Sequence, residues 1–269
     1  MAEERVKPRL SGLAIPFVAN IGQTDPAVAY SAQTFAGTVF VTRDGRIVYS
    51  LPAKRDSHSP RGLKASPPKG GWSLTETPVG GSACPGAGRP AAAQVNHFIG
   101  NDRTRWRSEV PTYERVSLGE VWPGISVELE ARGGNVEKHF RVEPGSDPSK
   151  IRMAVGGALS LRLDDSGALV VGTGLGGVTF TPPVAYQERG GARRPVEVAY
   201  ELRGRDYGFG LADYDPALPV LIDPLVQSTY LGGGRDDVAV ALVVHPVSGD
   251  VYVVGQTTST NCSSVRVES

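Results

Sequence analysis

Hydrophobic and polar residues alternate with a period of two along most of the chain, which is typical of half-buried β-strands. The clearest example is the segment 37–51, where two runs of β-branched and aromatic residues flank Arg43-Asp44-Gly45-Arg46. An Asp-Gly pair between two such runs favours a tight hairpin, because the turn needs backbone with positive φ. The pattern therefore predicts a β-hairpin here.

The same signals recur downstream. Two alternating segments flank Gly133-Gly134-Asn135, and further turns are predicted at Asp165-Ser166-Gly167 and at 174–177. Around the first of these turns, the predicted apolar face carries Ile125, Val127 and Leu129, and the polar face of the return strand carries His139, Arg141 and Glu143.

These elements predict an all-β fold. No segment shows a sustained helical stripe with caps, and helix is expected only as one short turn near Ala92–Phe98. Many short strands with turns every 8 to 12 residues are typical of a sandwich or a barrel. We expect an antiparallel β-sandwich, with one large lobe or two abutting lobes, followed by a single partial propeller-type blade.

The organisation along the chain follows from shifts in composition. We expect an N-terminal tail at 1–11, the sandwich module at 12–226, a single repeat at 227–261 and a C-terminal tail at 262–269. Within the module, residues from about 52 to 90 are rich in Pro and Gly and poor in aliphatic residues, which indicates a long excursion. Trp72 and Leu74 are expected to form a short strand inside it.

The net charge and the apolar runs of the chain argue against a nucleic-acid binder and against a membrane span. Lys plus Arg and Asp plus Glu both number 28, so the formal net charge is zero. Nucleic-acid binders are usually strongly basic, so we expect no nucleic-acid partner. The longest apolar run, Val238–Val244, is too short to span a bilayer. The first residues lack the apolar run of a signal peptide, so the chain as given carries none.

Two cysteines, Cys84 and Cys262, lie 178 positions apart. This spacing matches neither a metal motif nor a redox pair. Both a long-range disulfide and two independent thiols are compatible with the sequence.

The residues suited to catalysis or metal binding are scattered. His58, His97, His139 and His245 share no metal-ligand spacing, so we expect no metal site. The glycine-rich 172–177 is followed by a strand, whereas a phosphate loop precedes a helix, so we expect no nucleotide cofactor. Possible acid–base pairs are Asp164 with Asp165, Asp236 with Asp237, and Glu128 with Glu130. The adjacent aspartates point to opposite faces, and Glu128 and Glu130 share a solvent face, so no catalytic residue is predicted.

Three aromatic residues close to prolines form the candidate ligand or partner surface: Trp106, Tyr113 and Trp122. One interpretation is a recognition patch. The other, which is the commoner use of large flat side chains, is that they close the open ends of a sandwich.

Several motifs in a fixed order resemble the N-terminal module of bacterial SBBP-repeat (beta-propeller repeat) proteins. They are a GQTD segment at 22–25, FIGND at 98–102 with Trp106, VPTY at 110–113, WPGI at 122–125, PGSDPS at 144–149, PVAYQE at 183–188 and VLIDPLV at 220–226. Residues 228–261, which begin STYLGG and end TSTN, resemble one SBBP repeat.

The resemblance implies an extracellular or cell-surface protein in which this module precedes several repeats. One repeat cannot close a propeller, since closure takes about four or more blades. We therefore expect a non-enzymatic interaction or structural module, either of a naturally short protein or of a truncated propeller protein. One alternative is a carbohydrate-binding or carbohydrate-active sandwich that uses the three aromatic residues. The other is an assembly subunit that pairs strands of its C-terminal repeat with a protein partner or a second copy.

Overall fold

A computed structural model describes residues 14–34, 37–51, 71–98, 101–132, 135–223, 225–227, 237–244 and 251–257. Within these ranges the protein is all-β, as predicted, and every strand pairing is antiparallel. Its only helical elements there are two 3-10 turns, Arg103–Arg105 and Pro148–Lys150. No helix in the described ranges is long and apolar enough to cross a membrane.

Twenty-five strands make up the described fold. The first half comprises β1 (Ala14–Ile15), β2 (Phe17–Ala19), β3 (Val28–Thr34), β4 (Gly37–Thr42), β5 (Ile47–Leu51), β6 (Trp72–Pro78), β7 (Gly86–Ala87), β8 (Val95–His97), β9 (Arg107–Val110), β10 (Thr112–Tyr113), β11 (Arg115–Trp122) and β12 (Ile125–Arg132). The second half comprises β13 (Asn135–Val142), β14 (Met153–Gly156), β15 (Ser160–Leu163), β16 (Leu169–Thr173), β17 (Gly176–Phe180), β18 (Val184–Arg189), β19 (Ala192–Val196), β20 (Val198–Arg203), β21 (Asp206–Leu211), β22 (Val220–Asp223), β23 (Leu225–Gln227), β24 (Asp237–Val244) and β25 (Val251–Thr257).

Two large sheets contain most of these strands. Sheet A has 12 strands, with the path β15-β16-β17-β23-β13-β12-β11-β7, and β1, β18, β19 and β22 attached beside it. Sheet B has 9 strands in the order β10-β2-β3-β4-β5-β6-β14-β21-β20. Two further sheets are hairpin-sized, β8 with β9 and β24 with β25. Sheet A thus places β13 between β12 on one side and β22 and β23 on the other.

Apolar side chains of sheets A and B share one core cluster. Leu129 and Phe140 of sheet A and Ile47 and Met153 of sheet B belong to it, each with at most 1% exposure. The cluster follows the alternation in the sequence, since every second residue of a strand points to the same face. The outward residues of β12 and β13 are then left for polar chemistry.

The predicted hairpins are confirmed. β4 pairs with β5 across 43–46, where Gly45 has φ of +81°. β12 pairs with β13 along eight residues, and β16 pairs with both β15 and β17. Ile125, Val127 and Leu129 are buried, and His139, Arg141 and Glu143 are at least partly exposed, as the alternation predicts.

One local expectation was wrong and another was confirmed. Residues 92–98 form no helical turn; β8 lies there in extended conformation and pairs with β9. The short strand expected at Trp72 and Leu74 is confirmed as β6, which covers residues 72–78 and lies in the middle of sheet B, between β5 and β14. Residues 52–70 of the expected excursion lie outside the described ranges. Leu74 and Glu76 of β6 point inward with at most 1% exposure, which the surrounding Pro and Gly residues conceal in the sequence.

The described strands fall into two compact units, β1–β23 in one and β24–β25 in the other. β24 and β25 form a hairpin with a register shift between Ala239 and Ala241. The expected repeat at 227–261 contributes these two strands, and its remaining residues after 227 lie outside the described ranges. Cys84 is exposed and carries no disulfide among the described residues, and Cys262 lies outside them.

Candidate functional site

β13 carries ionisable side chains on both faces of sheet A. Lys138 points into the core and its side chain is fully buried, whereas the neighbouring His139 points outward and its side chain is 18% exposed. Each residue belongs to its own cluster. We call them the inner network (Tyr49, Glu76, Lys138, Tyr207) and the outer hollow, defined below.

The inner network is saturated with hydrogen bonds. The Lys138 ammonium donates to both Glu76 oxygens, at 2.7 and 2.9 Å, and to the Tyr207 hydroxyl at 2.8 Å. Tyr49 donates to Glu76 Oε2 at 2.6 Å, and Tyr207 donates to Oε1. The ammonium also lies 4.4 Å from the centre of the Phe180 ring. All three ammonium protons therefore have an acceptor.

Burial tunes the groups of this network. It lowers the pKa of Lys138, although the Glu76 carboxylate opposes the change. Burial, reinforced by the same carboxylate, raises the pKa of Tyr49 and of Tyr207 well above the ordinary value. The two phenols therefore stay protonated and act as donors. Glu76 belongs to sheet B and Lys138 to sheet A, so the network ties the two sheets together.

The outer hollow is an open concavity of about 420 Å³ on the outward face of sheet A. It is formed by β11, β12, β13, β18, β19 and β22, whose side chains on this face are mostly charged. Its lining comprises Arg115, Ser126, Glu128, Glu130, Arg132, Glu137, His139, Phe140, Arg141, Tyr186, Glu188, Arg193, Leu221 and Asp223.

Glu130 is the most deeply placed carboxylate of the hollow, with a side chain only 6% exposed. Arg132 donates to its Oε1 at 2.6 and 2.9 Å, and Arg115 donates to its Oε2 at 2.9 Å. Burial alone would raise the pKa of Glu130, but the two guanidiniums outweigh burial and hold the pKa below its ordinary value. Glu130 is thus an oriented carboxylate that stays ionised.

His139 lies among three carboxylates without a hydrogen bond to any of them. Its Nε2 is 3.5 Å from Glu130 Oε2 and 3.7 Å from Glu137 Oε2, and its Nδ1 is 3.5 Å from Asp223 Oδ1. In the part of the chain that the structure describes, Nε2 of His139 and Oδ1 of Asp223 are buried and have no hydrogen-bond partner. Native structures rarely leave such atoms unsatisfied.

Negative charge is in excess around this histidine. Burial and then the Asp223 carboxylate raise the pKa of Glu137. Burial also raises the pKa of Asp223; His139 opposes this rise and Glu130 adds to it. Burial is therefore the main reason that both carboxylates resist ionisation, and the nearby cations do not fully offset it. This arrangement can accept a cation.

The aromatic residues of the predicted ligand surface are not brought together. Trp122 is 2% exposed, packs on Phe140 and donates from Nε1 to the Val79 carbonyl at 3.0 Å. Its place is the core, so it offers no ring to a ligand. Tyr113 is half-buried against the edge of Tyr30, with 5.7 Å between ring centres. Trp106 is half-buried beside Phe98.

Sequence reasoning named Glu128, Glu130 and His139 but did not join them into one site, and it missed the inner network. Glu128 and Glu130 do share the outer face, as predicted, but Glu130 is buried by its arginine partners instead of being solvated. Lys138 could have been found, because it occupies an inward position in the alternation of Val136, Phe140 and Val142. Nothing in the sequence indicates Glu76 as its partner, 62 positions away.

Comparison with known proteins places the chain by family alone. No curated protein and no solved structure matches it. The family model that matches is described as "Domain of unknown function (DUF7948)" and covers residues 17–225, which contain the inner network and the outer hollow. Because this match spans more than half of the 269 residues, the chain belongs to that DUF7948 family.

Proposed function

We propose that the chain is a non-enzymatic interaction module of an exported or cell-surface protein. Sheets A and B form its sandwich scaffold, and the outer hollow is its binding site. The observation that carries the proposal is the open, charged hollow in which His139 Nε2 and Asp223 Oδ1 are buried without partners. Binding sites typically combine a concave shape with a few converging polar groups.

The scaffold suits recognition. Six hydrogen-bonded strands hold the lining residues, and side chains on strands are positioned more tightly than side chains on loops. The rim offers both signs of charge: Arg193 and Glu188 are 68% and 53% exposed. The Arg193 guanidinium also lies 4.4 Å from the centre of the Tyr186 ring, a cation–π contact. Such a rim fits a partner with charged or strongly polar groups.

Placement at the cell surface is supported by the resemblance to SBBP-repeat proteins. Those motifs lie within the family match at 17–225, except that the last one ends at residue 226, and the repeat-like 228–261 follows. The module would then present the hollow from a larger assembly of repeats.

Binding to glycan and peptide arrays tests the proposal with the full chain. A ligand of the hollow should lose affinity when Arg193 is replaced by Glu, and should keep it in the matched variant Arg203→Glu. Arg203 is likewise paired with a glutamate on a hairpin, is 51% exposed and does not line the hollow. Equal effects of both variants would count against the hollow. Turnover of any array compound that disappears on one point substitution would overturn the non-enzymatic assignment.

A second candidate, glycan binding, is favoured by the surface around Trp106. Phe98 is 55% exposed, its ring centre lies 5.5 Å from that of Trp106, and the Arg103 guanidinium lies 5.3 Å from the Trp106 ring. Aromatic rings at a surface stack well on the apolar faces of sugars. Loss of array binding in Trp106→Leu but not in Trp72→Leu would place a glycan here; unchanged binding in both would dismiss the assignment.

A third candidate, assembly through the C-terminal repeat, is favoured by the hairpin β24–β25. A two-stranded sheet has two edges, and both edges can pair with further strands. The size of the full chain should then exceed that of residues 1–227 by more than the removed mass. A monomer in both cases rules out self-assembly through this segment.

A further inference from the structure

We propose that Glu130, Glu137 and His139 bind one divalent transition-metal ion in the outer hollow. This proposal deepens the proposed function, because it names a ligand of the same site. Each residue supplies one ligand atom, and the three atoms lie within 4.8 Å of one another. The scattered histidines predict no metal site, but the sheet brings two carboxylates to one histidine instead.

The spacing of the atoms suits a shared cation better than hydrogen bonds. A tetrahedral Zn²⁺ with bonds of about 2.1 Å keeps its ligand atoms about 3.4 Å apart. His139 Nε2 is 3.5 Å from Glu130 Oε2 and 3.7 Å from Glu137 Oε2, well beyond a normal N–H···O distance. Three protein ligands leave the fourth position of a tetrahedral ion for water or for a donor atom of the partner.

The register of the sheet brings carboxylates together, and a bound cation would reduce their repulsion. Glu130 of β12 and Glu137 of β13 are directly opposite each other in the antiparallel pair, where like charges destabilise a sheet. Around His139, the carboxylates of Glu128, Glu130, Glu137 and Asp223 face the guanidiniums of Arg115 and Arg132. The other guanidiniums of the hollow, Arg141 and Arg193, pair with Glu143 and Glu188. With these two ion pairs set aside and His139 neutral, two negative charges are left over, and one divalent ion neutralises them.

The residues behind the three ligands orient them. Arg115 donates to Oε2 of Glu130 and Arg132 donates to Oε1, so both oxygens are held in place. Asp223 Oδ1 lies on the Nδ1 side of His139, at 3.5 Å, and its negative charge favours the tautomer with the proton on Nδ1, which leaves Nε2 free to bind metal. The buried Nε2 without a partner is thus explained as a ligand atom.

One imidazole nitrogen and two carboxylate oxygens favour Zn²⁺ or Co²⁺ over Ca²⁺ and Mg²⁺, which prefer oxygen ligands throughout. The selectivity follows from His139 alone, because the remaining ligands suit either class of ion.

Calorimetric titration of the chelator-treated full chain with Zn²⁺ alone tests the proposal. We expect one site, retained in excess Mg²⁺, and a visible spectrum of bound Co²⁺ typical of mixed nitrogen and oxygen coordination. His139→Gln and Glu137→Gln should abolish binding at this site. Asp223→Asn should weaken it about 10- to 100-fold, as for other residues that orient a metal-bound histidine.

His97→Gln and Glu201→Gln are the matched controls, since neither residue lies in the hollow. Both should bind Zn²⁺ like the wild type. The proposal is overturned if the wild type binds no Zn²⁺, if His139→Gln still binds it, or if the control variants lose it equally. Melting in chelator checks that each variant is folded.

NMR of the wild-type chain tests the metal site without relying on any variant. Substoichiometric Co²⁺ should shift or broaden the ring resonances of His139 more than those of His97; equal broadening contradicts the site. These experiments need no partner. If the chain binds metal but no array compound, the metal site stands and the proposed function fails. If it binds an array compound through the hollow but no metal, the proposed function stands and the metal site fails.

Discussion

Two neighbouring residues of β13 differ in how their ionisable groups are satisfied on the two faces of the sheet. Lys138 is fully buried and has an acceptor for each of its protons. His139 is partly exposed, yet its Nε2 is buried beside carboxylates at distances too long for hydrogen bonds. A charged group in a core needs hydrogen-bond partners within the fold, because water cannot reach it. A polar group beside a hollow open to solvent can instead be satisfied by a bound ligand. The inner network therefore stabilises the fold, and the outer hollow is the site that we propose for binding.

The largest effect is expected from breaking the inner network. Lys138→Met leaves the Glu76 carboxylate buried with only phenol partners, and should lower the free energy of unfolding by about 3–5 kcal/mol. Denaturation in urea measures this. Lys150→Met, at an exposed lysine, should stay within about 0.5 kcal/mol of wild type.

The double variant Lys138→Met, Glu76→Leu sharpens the interpretation. Because apolar residues of similar volume often replace a buried ion pair without loss, most of the stability should return. A double variant as unstable as Lys138→Met would mean that the network contributes more than partner satisfaction.

A smaller loss is expected in the hollow from Glu130→Gln. The amide cannot accept from two guanidiniums as the carboxylate does, and hydrogen bonds to charged groups contribute about 1.5–3 kcal/mol each before solvent screening. Arg115 and Arg132 are 29% and 39% exposed, so we expect a loss near the lower end of that range.

The pH dependence of Glu130→Gln has a defined sign. The folded pKa of Glu130 is depressed, so its stabilisation is present above the unfolded pKa and is lost as pH falls through the folded pKa. The deficit of the variant should therefore shrink in acid. A deficit that grows in acid would contradict the depressed pKa.

The same substitution at Glu137 should have the opposite sign. Because the folded pKa of Glu137 is raised, its ionisation costs stability above that pKa, and the cost is relieved as pH falls through it. In chelator near pH 7, Glu137→Gln should raise the melting temperature slightly, and the gain should fade in acid. A loss of stability would show that Glu137 already has sufficient cationic partners.

The smallest effect is expected at the rim. Glu188 and Arg193 form an exposed pair at 3.2 Å, and such pairs contribute about 0–1 kcal/mol. Glu188→Gln should change the urea midpoint little, and added salt should remove the difference. A large change would mean that Glu188 supports the hollow as well as lining it.

Period-two alternation was sufficient to predict the all-β fold and the hairpins around Gly45 and between β12 and β13. It could not give the sheet order, because β6 lies in a Pro- and Gly-rich region and pairs with β5 and β14 from distant parts of the chain. Trp122 was a surface candidate for its neighbouring proline, and the register of β11 turned it inward. The proposed metal ligands were missed because the hairpin of β12 and β13 was predicted without its register, and it is the register that places Glu130 opposite Glu137.

The alternation of Lys138 and His139 also fixes how β13 can pair. A slip by one residue would turn Lys138 to the outside and drive His139 and Arg141 into the core, away from every carboxylate that now faces them. In most strands the register is set by apolar residues, whose packing tolerates small changes in shape. In β13, charged residues on both faces also set the register. A shifted pairing would therefore expose Lys138 on one face and bury His139 and Arg141 on the other, and both changes would destabilise the sheet.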